Sequence, residues 1–162
     1  MSPAAKSFIK AAIVYLVLGA TGGTISFLPP VHAWVREWPG SLVATAHAHM
    51  NLLGWVSMMI YGVGYHILPR FMGRHLYSER LAVAHYWLAN VGLAGMVGSL
   101  WLGAVSAGVP FAGIPPLPAL QSIAGVPLYA AGAALFGAVE LAGIYVFGYN
   151  LFRTMRAAES DS

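Results

Sequence analysis

Residues 44–69 read ATAHAHMNLLGWVSMMIYGVGYHILP. The stretch is apolar and exceeds the roughly 20 residues that a helix needs to cross the hydrocarbon core of a bilayer. His47 and His49 stand one residue apart near its start. An ionisable side chain at membrane depth is costly, so its presence points to function. The spacing adds a direction. Each residue of a helix turns by about 100°, so side chains at i and i+2 point roughly 200° apart, to nearly opposite faces. The two rings therefore serve two sites or two neighbours and do not clamp one ion together.

Working outward, composition places the whole chain in lipid. Of 162 residues, 59% are hydrophobic and 8% charged, against about a quarter charged in soluble domains; mean hydropathy is +0.71. There is no cysteine, which excludes disulfides and thiolate metal sites. A net charge of +3 is too small and scattered for a nucleic-acid partner.

Apolar runs cover about residues 8–28, 43–68, 81–104 and 126–151. Backbone groups in lipid must satisfy one another within the segment, so each run is expected to be a helix. The expectation is an all-α polytopic membrane protein with four transmembrane helices, residues 1–162 forming a single domain. Lys6 and Lys10 before the first run resemble the start of a secretory signal. That run is too long and lacks a small-residue cleavage site, so it is read as a retained helix.

Four spans sort the basic residues. Lys6, Lys10, Arg70, Arg74, Arg80, Arg153 and Arg156 fall on one side, and Arg36 alone falls on the other. The positive-inside rule then makes both termini cytoplasmic, in a plasma (inner) membrane. The outer side would carry residues 29–42, with His32, Trp34, Arg36, Glu37 and Trp38, and the uncharged Pro- and Gly-rich residues 105–125. The tryptophans suit the headgroup belt, the second loop an interfacial or folded-back course, and the polar tail after Arg156 a frayed end. Glycines along the third and fourth runs suit close helix packing.

His47 and His49 lie in the outer part of the second span. His66 is on the inner side, roughly 25 Å from His49 along the axis. Neutral imidazole is a good axial ligand for haem iron and a good ligand for copper or zinc. Small or flat neighbours, including Ala46, Ala48, Leu52 and Gly54, would leave room for a planar macrocycle. The competing reading is that each ring hydrogen-bonds a carbonyl or a side chain of a neighbouring helix; a closely spaced pair favours ligation.

The text AHAHMNLLGWVSMMIYGVGYHILPRFMGRHLYSERLAVAHYWLANVGLAGM resembles the tenth and eleventh helices of haem-copper oxidase subunit I. It is nearest to the C-family (cbb-type) oxygen reductases and the nitric oxide reductases. The shared order is a His-x-His pair, Leu-Gly-Trp, Gly-x-x-Tyr-His/Tyr-x-x-Pro-Arg/Lys, Tyr-Ser-x-x-Leu, then His-Phe/Tyr-Trp. The resemblance implies that His47 ligates a high-spin haem and His49 a low-spin haem. The family subunit has about a dozen helices in three arcs, with one ligand-bearing helix per arc. Its copper-binding helix, its adjacent His-His pair and its second-helix histidine have no counterpart in these residues.

The chain therefore resembles one arc, and a homotrimer with the second span innermost is expected. His47 of one chain and His49 of its neighbour would then share a haem b, or a ring of three histidines would hold copper or zinc. The expected function is a histidine-ligated redox and electron-transfer site near the outer face, served by a membrane or periplasmic electron donor. Oxidoreductase turnover like that of oxygen or nitric oxide reductases is an open alternative, and no catalytic residue is named. The other alternative is a copper-binding or accessory membrane protein without turnover.

Other residues carry lesser expectations. Glu140, the carboxylate within a span, suits a proton or charge role, or a hydrogen bond to a neighbouring helix. His32 is a subsidiary third-ligand candidate. His66 and His85 are expected to anchor at the interface or pair with Glu79. Met50, Met58 and Met59 suit packing.

Overall fold

In the computed structural model, residues 1–37, 40–106, 122–123 and 126–156 are described. Pro3 opens helix α1 (Pro3–Ile25), where a missing N–H costs nothing, and Ser2 Oγ accepts from Ala5 N at 3.2 Å as the cap. Pro29 and Pro30 likewise start the short α2 (Pro29–Arg36), here without a side-chain cap. After Gly40 the chain enters α3 (Ser41–His49), passes through a π-helical segment (Met50–Ser57) and continues as α4 (Met58–Phe71). These three form one continuous rod, Ser41–Phe71. Gly73, at φ 62°, turns the chain away through the left-handed conformation that favours glycine. The long helices α5 (Glu79–Ser106) and α6 (Leu128–Arg156) follow.

The chain is all-α and, among the described residues, has four helices long and apolar enough to cross a bilayer: Pro3–Ile25, Ser41–Phe71, Glu79–Ser106 and Leu128–Arg156. Before α6, a two-residue antiparallel pairing joins Ser122 to Pro127 and Ile123 to Val126. Trp38, most of the residue 105–125 loop and the tail after Arg156 lie outside the described residues.

Glycines and alanines set the packing. A Cβ on Gly92 of α5 would lie 2.6 Å from Glu140 N of α6, and Gly95 lies against the Phe136 ring. On the other side of the bundle, Gly62 of α4 faces Ile9 and the Ala5 carbonyl, and Gly54 lies under the Tyr15 ring of α1. Between these seams sits an aromatic nest around Phe8, which is fully buried. Its ring centroid is 5.7 Å from Tyr61, 5.8 Å from Tyr65 and 4.7 Å from His85.

Hydrogen bonds tie one end of the bundle together. Ala4 N donates to Glu79 Oε1 at 2.9 Å, and Tyr77 N donates to Thr154 Oγ1 at 3.0 Å. The buried Asn150 amide reads the backbone of Ser78 twice, accepting from its N–H at 3.1 Å and donating to its carbonyl at 2.8 Å. Asn150→Ala removes both bonds and is expected to cost about 1–3 kcal/mol. A denaturant titration of the detergent-solubilised protein, followed by circular dichroism, checks this; an unchanged midpoint would refute it.

Two residues depart from expectation. His85 neither anchors at the interface nor pairs with Glu79. It is fully buried, its Nδ1 is 3.1 Å from the Tyr65 hydroxyl, and Glu79 is engaged by Ala4 instead. More than a turn separates His85 from the start of α5, which carries it past the interface onto the face that meets Phe8 and Phe147. Trp34 is buried and lies 6.5 Å from Trp101, because α2 folds back over the helix ends.

Candidate functional site

The two histidines of the second span belong to the regular α-helical turns of α3, and the π-helical segment begins at the residue after His49. Within that segment Ser57 Oγ donates to Leu52 O at 2.9 Å, five residues back. Such segments are rare and concentrate at functional sites. Here the widened turns begin only after the pair, at Met50, so the roughly 200° divergence of the two rings is kept.

His47 faces inward. It lines a cavity of about 160 Å³ with Gly22, Ser26, Val43, Met50 and Trp101. A Cβ on Gly23 of α1 would lie 3.0 Å from its Cε1. Asn51, one turn on, brings its amide nitrogen to 3.3 Å from Nδ1 and 3.2 Å from Nε2, and the same nitrogen donates to His47 O at 2.9 Å. Ligation through His47 requires this amide to turn aside. The cavity is also smaller than the roughly 300–1,000 Å³ of sites that enclose drug-sized ligands. A macrocycle therefore has no room on the His47 side within one chain.

His49 faces outward. Its Nδ1 lies 2.9 Å from Thr45 O. A carbonyl oxygen only accepts, so Nδ1 carries the proton and the lone pair of the neutral ring is on Nε2. Metal-ligating histidines are oriented by this kind of backbone contact on the second nitrogen. After His49 the rod exposes Leu52, Val56, Ile60 and Val63, Leu52 at 61% and Ile60 at 56%. Room for a planar group exists on this side, outside the chain's own bundle. The donor set and its orientation fit an axial haem ligand at His49 directly; at His47 both the Asn51 amide and the α1 and α2 walls of the cavity must first move aside.

His32 stacks on Phe27 at 5.9 Å. Among the described residues no three His, Cys, Asp or Glu side chains converge to hold a metal ion, so His32 does not complete a site with the pair. Glu140 is 3% exposed, and neither carboxyl oxygen has a hydrogen-bond partner. The expected bond to a neighbouring helix is therefore not formed among the described residues. Sequence reasoning passed over Asn51 as a partner of His47, although a polar residue four positions on was signal enough. It also passed over the Tyr65–His85 pair, which sequence spacing does not reveal.

The family described as Cytochrome C and Quinol oxidase polypeptide I matches residues 2–137. The chain belongs to this family. It is 32% identical over 119 residues to the cbb3-type cytochrome c oxidase subunit CcoN1 of Stutzerimonas stutzeri, covering 70% of this chain and 25% of that protein. It is 30% identical over 125 residues to the bacteroid cytochrome c oxidase subunit 1 homolog of Bradyrhizobium diazoefficiens, covering 71% and 22%. With the cytochrome c oxidase subunit 1 of Rhodobacter capsulatus it shares 29% over 116 residues, 67% and 22% of the two chains. The chain spans about a quarter of the length of these relatives. As a polypeptide I family member with four spanning helices, it is an integral protein of the plasma (inner) membrane.

Proposed function

We propose that this chain binds haem b through His49 and His47 and serves as an electron-transfer protein. The single observation that carries the reading is the His49 contact with Thr45 O at 2.9 Å, which leaves Nε2 as the coordinating atom on an open apolar face. Haem held by two histidines supplies one-electron redox chemistry. The residues of the chain hold the rings in place and exclude water from them. Because the two rings diverge, each haem takes His49 from one chain and His47 from the next. Three such contacts close a homotrimer with cyclic symmetry, with Ser41–Phe71 innermost. The exposed apolar stretch that follows His49 would be covered in that assembly.

The orientation proposed has both termini in the cytoplasm. Its support is the gathering of Lys6, Arg70, Arg74, Arg80, Arg153 and Arg156 around the end tied by Ser78 and Asn150. The histidine pair then sits toward the outer face, within reach of a membrane or periplasmic donor. The relatives are named as oxidase subunits; for this chain the proposal is electron transfer, with turnover like that of oxygen or nitric oxide reductases the open alternative.

An absorbance spectrum of the purified protein, with pyridine haemochrome, metal analysis and mass in detergent, tests the reading. The expected result is a Soret band of a low-spin haem b in a particle of three chains. Copper without haem would replace it with the copper-binding or accessory reading. A haem-free monomer would refute it.

A further inference from the structure

Away from the histidine pair, the bundle buries a second group of titratable side chains that the proposed function does not use. His85 of α5 is 0% exposed and Glu140 of α6 is 3% exposed. Among the described residues, His85 Nε2 and both Glu140 carboxyl oxygens are without hydrogen-bond partners. Native structures leave few buried polar atoms in that state, so each one asks for an explanation.

The two residues belong to one compartment. Gly143 lies three residues after Glu140, hence on the same face of α6, and a Cβ there would lie 3.3 Å from His85 Cδ2. Tyr61 borders the compartment on the His85 side. Its ring centroid is 4.5 Å from that of His85, and it lies within electrostatic range of Glu140. Tyr15 of α1 is also within range of Glu140, and its hydroxyl donates to Asn90 Oδ1 at 3.2 Å. The titratable groups at the compartment are thus Tyr15 from α1, Tyr61 and Tyr65 from α4, and His85 from α5, with Tyr86 of α5 behind the Phe8 ring at a centroid distance of 5.3 Å. None of them is an arginine or lysine that would pair a carboxylate.

The other side of His85 leads to the end of the bundle. Its Nδ1 is 3.1 Å from the Tyr65 hydroxyl, Tyr65 reaches the Asn150 side chain, and Asn150 is doubly bonded to Ser78. Phe8 and Phe147 close the flanks, with ring centroids 4.7 and 5.3 Å from His85.

We propose that Glu140 and His85 form a buried proton-exchange site, joined by water and connected through Tyr65 to the Ser78–Asn150 end of the bundle. The chemistry of the orphan atoms matches it. A neutral carboxyl offers one donor and one acceptor, and an imidazole nitrogen offers one or the other. A buried water needs two to four such polar partners. In the transfer, the Glu140 O–H proton passes to the water, and the water gives a proton to His85 Nε2. Nδ1 then releases its proton to the Tyr65 oxygen, whose own O–H proton leaves to water at the Ser78 end. Glu140 becomes a carboxylate, the imidazole returns to neutral as its other tautomer, and Tyr65 is restored.

The site does not depend on the haem proposal, and its test needs no cofactor. Infrared spectra of the full chain in liposomes, taken in H₂O and after rapid transfer to D₂O, read the carboxylic C=O stretch. The remaining carboxylate side chains, Glu37, Glu79, Glu159 and Asp161, fall outside the apolar runs, so a protonated-carboxyl band at neutral pH belongs to Glu140. The expected result is a band that Glu140→Gln abolishes and that shifts promptly in D₂O. Tyr65→Phe, which removes one oxygen and keeps the ring, should slow that shift about five- to tenfold, and His85→Phe should slow it at least as much. No band in the wild-type protein, or equally fast exchange in wild type and Tyr65→Phe, would overturn the proposal.

Discussion

His49→Ala is expected to weaken haem retention by more than the 10–100-fold that loss of a supporting residue around a metal ligand typically costs. The side chain removed is the ligand itself, whose Nε2 is presented by the 2.9 Å contact between Nδ1 and Thr45 O. The band remaining should be that of a haem with one histidine ligand. His47→Ala should have the same effect, because each haem draws one ligand from each of two chains. Co-expression then gives a result that ligation within one chain does not allow. In a mixed trimer, a His49→Ala chain offers its intact His47 to the intact His49 of a His47→Ala chain. About one interface in four regains both ligands when cyclic trimers assemble at random. Partial recovery of the six-coordinate spectrum from two variants that each lack it is the expected reading. Absence of any recovery, with trimers present, would remove the shared-haem arrangement.

Much of this architecture is legible before any coordinates. Four helices follow from the apolar runs because backbone in lipid has no other way to satisfy its polar groups. The opposed rings of His47 and His49 follow from helical angle alone. Other features depend on tertiary contact. The π-helical Met50–Ser57 carries no periodic mark, since its widened turns are stabilised by Ser57 reaching Leu52 O and by α1 lying against Gly54. The burial of His85 was hidden because its position near the start of α5 suggests the interface. Only packing against Phe8 and Phe147, distant in sequence, encloses it. Asn150 shows the same limit: its partner Ser78 is 72 residues away. The space around the ligands divides likewise. Small residues beside His47 suggested an open wall, but α1 and α2 close over it and leave about 160 Å³.

Gly92→Ala and Gly98→Ala, two helical glycines of α5, are expected to move stability in opposite directions. Helices in lipid gain little from the hydrophobic effect, because the surrounding tails are as apolar as their own side chains. Close backbone contact at small residues does the work. At Gly92 the seam with α6 is already closed: a Cβ would lie 2.6 Å from Glu140 N and 2.9 Å from Glu140 Cα. Those are backbone atoms and do not rotate away, so the two helices must part or shear. Overpacking of this kind costs about 1–3 kcal/mol. At Gly98 a Cβ meets nothing within 4 Å among the described residues, and alanine is favoured over glycine in a helix interior by up to about 1 kcal/mol. Denaturant titrations of the two variants beside the wild type should show the midpoint falling for Gly92→Ala and holding or rising for Gly98→Ala. Equal midpoints would mean that the α5–α6 seam accepts a methyl group. The enclosure of Glu140, which rests on the same contact, would then lose its basis, because a seam loose enough for that methyl also admits water to the carboxyl.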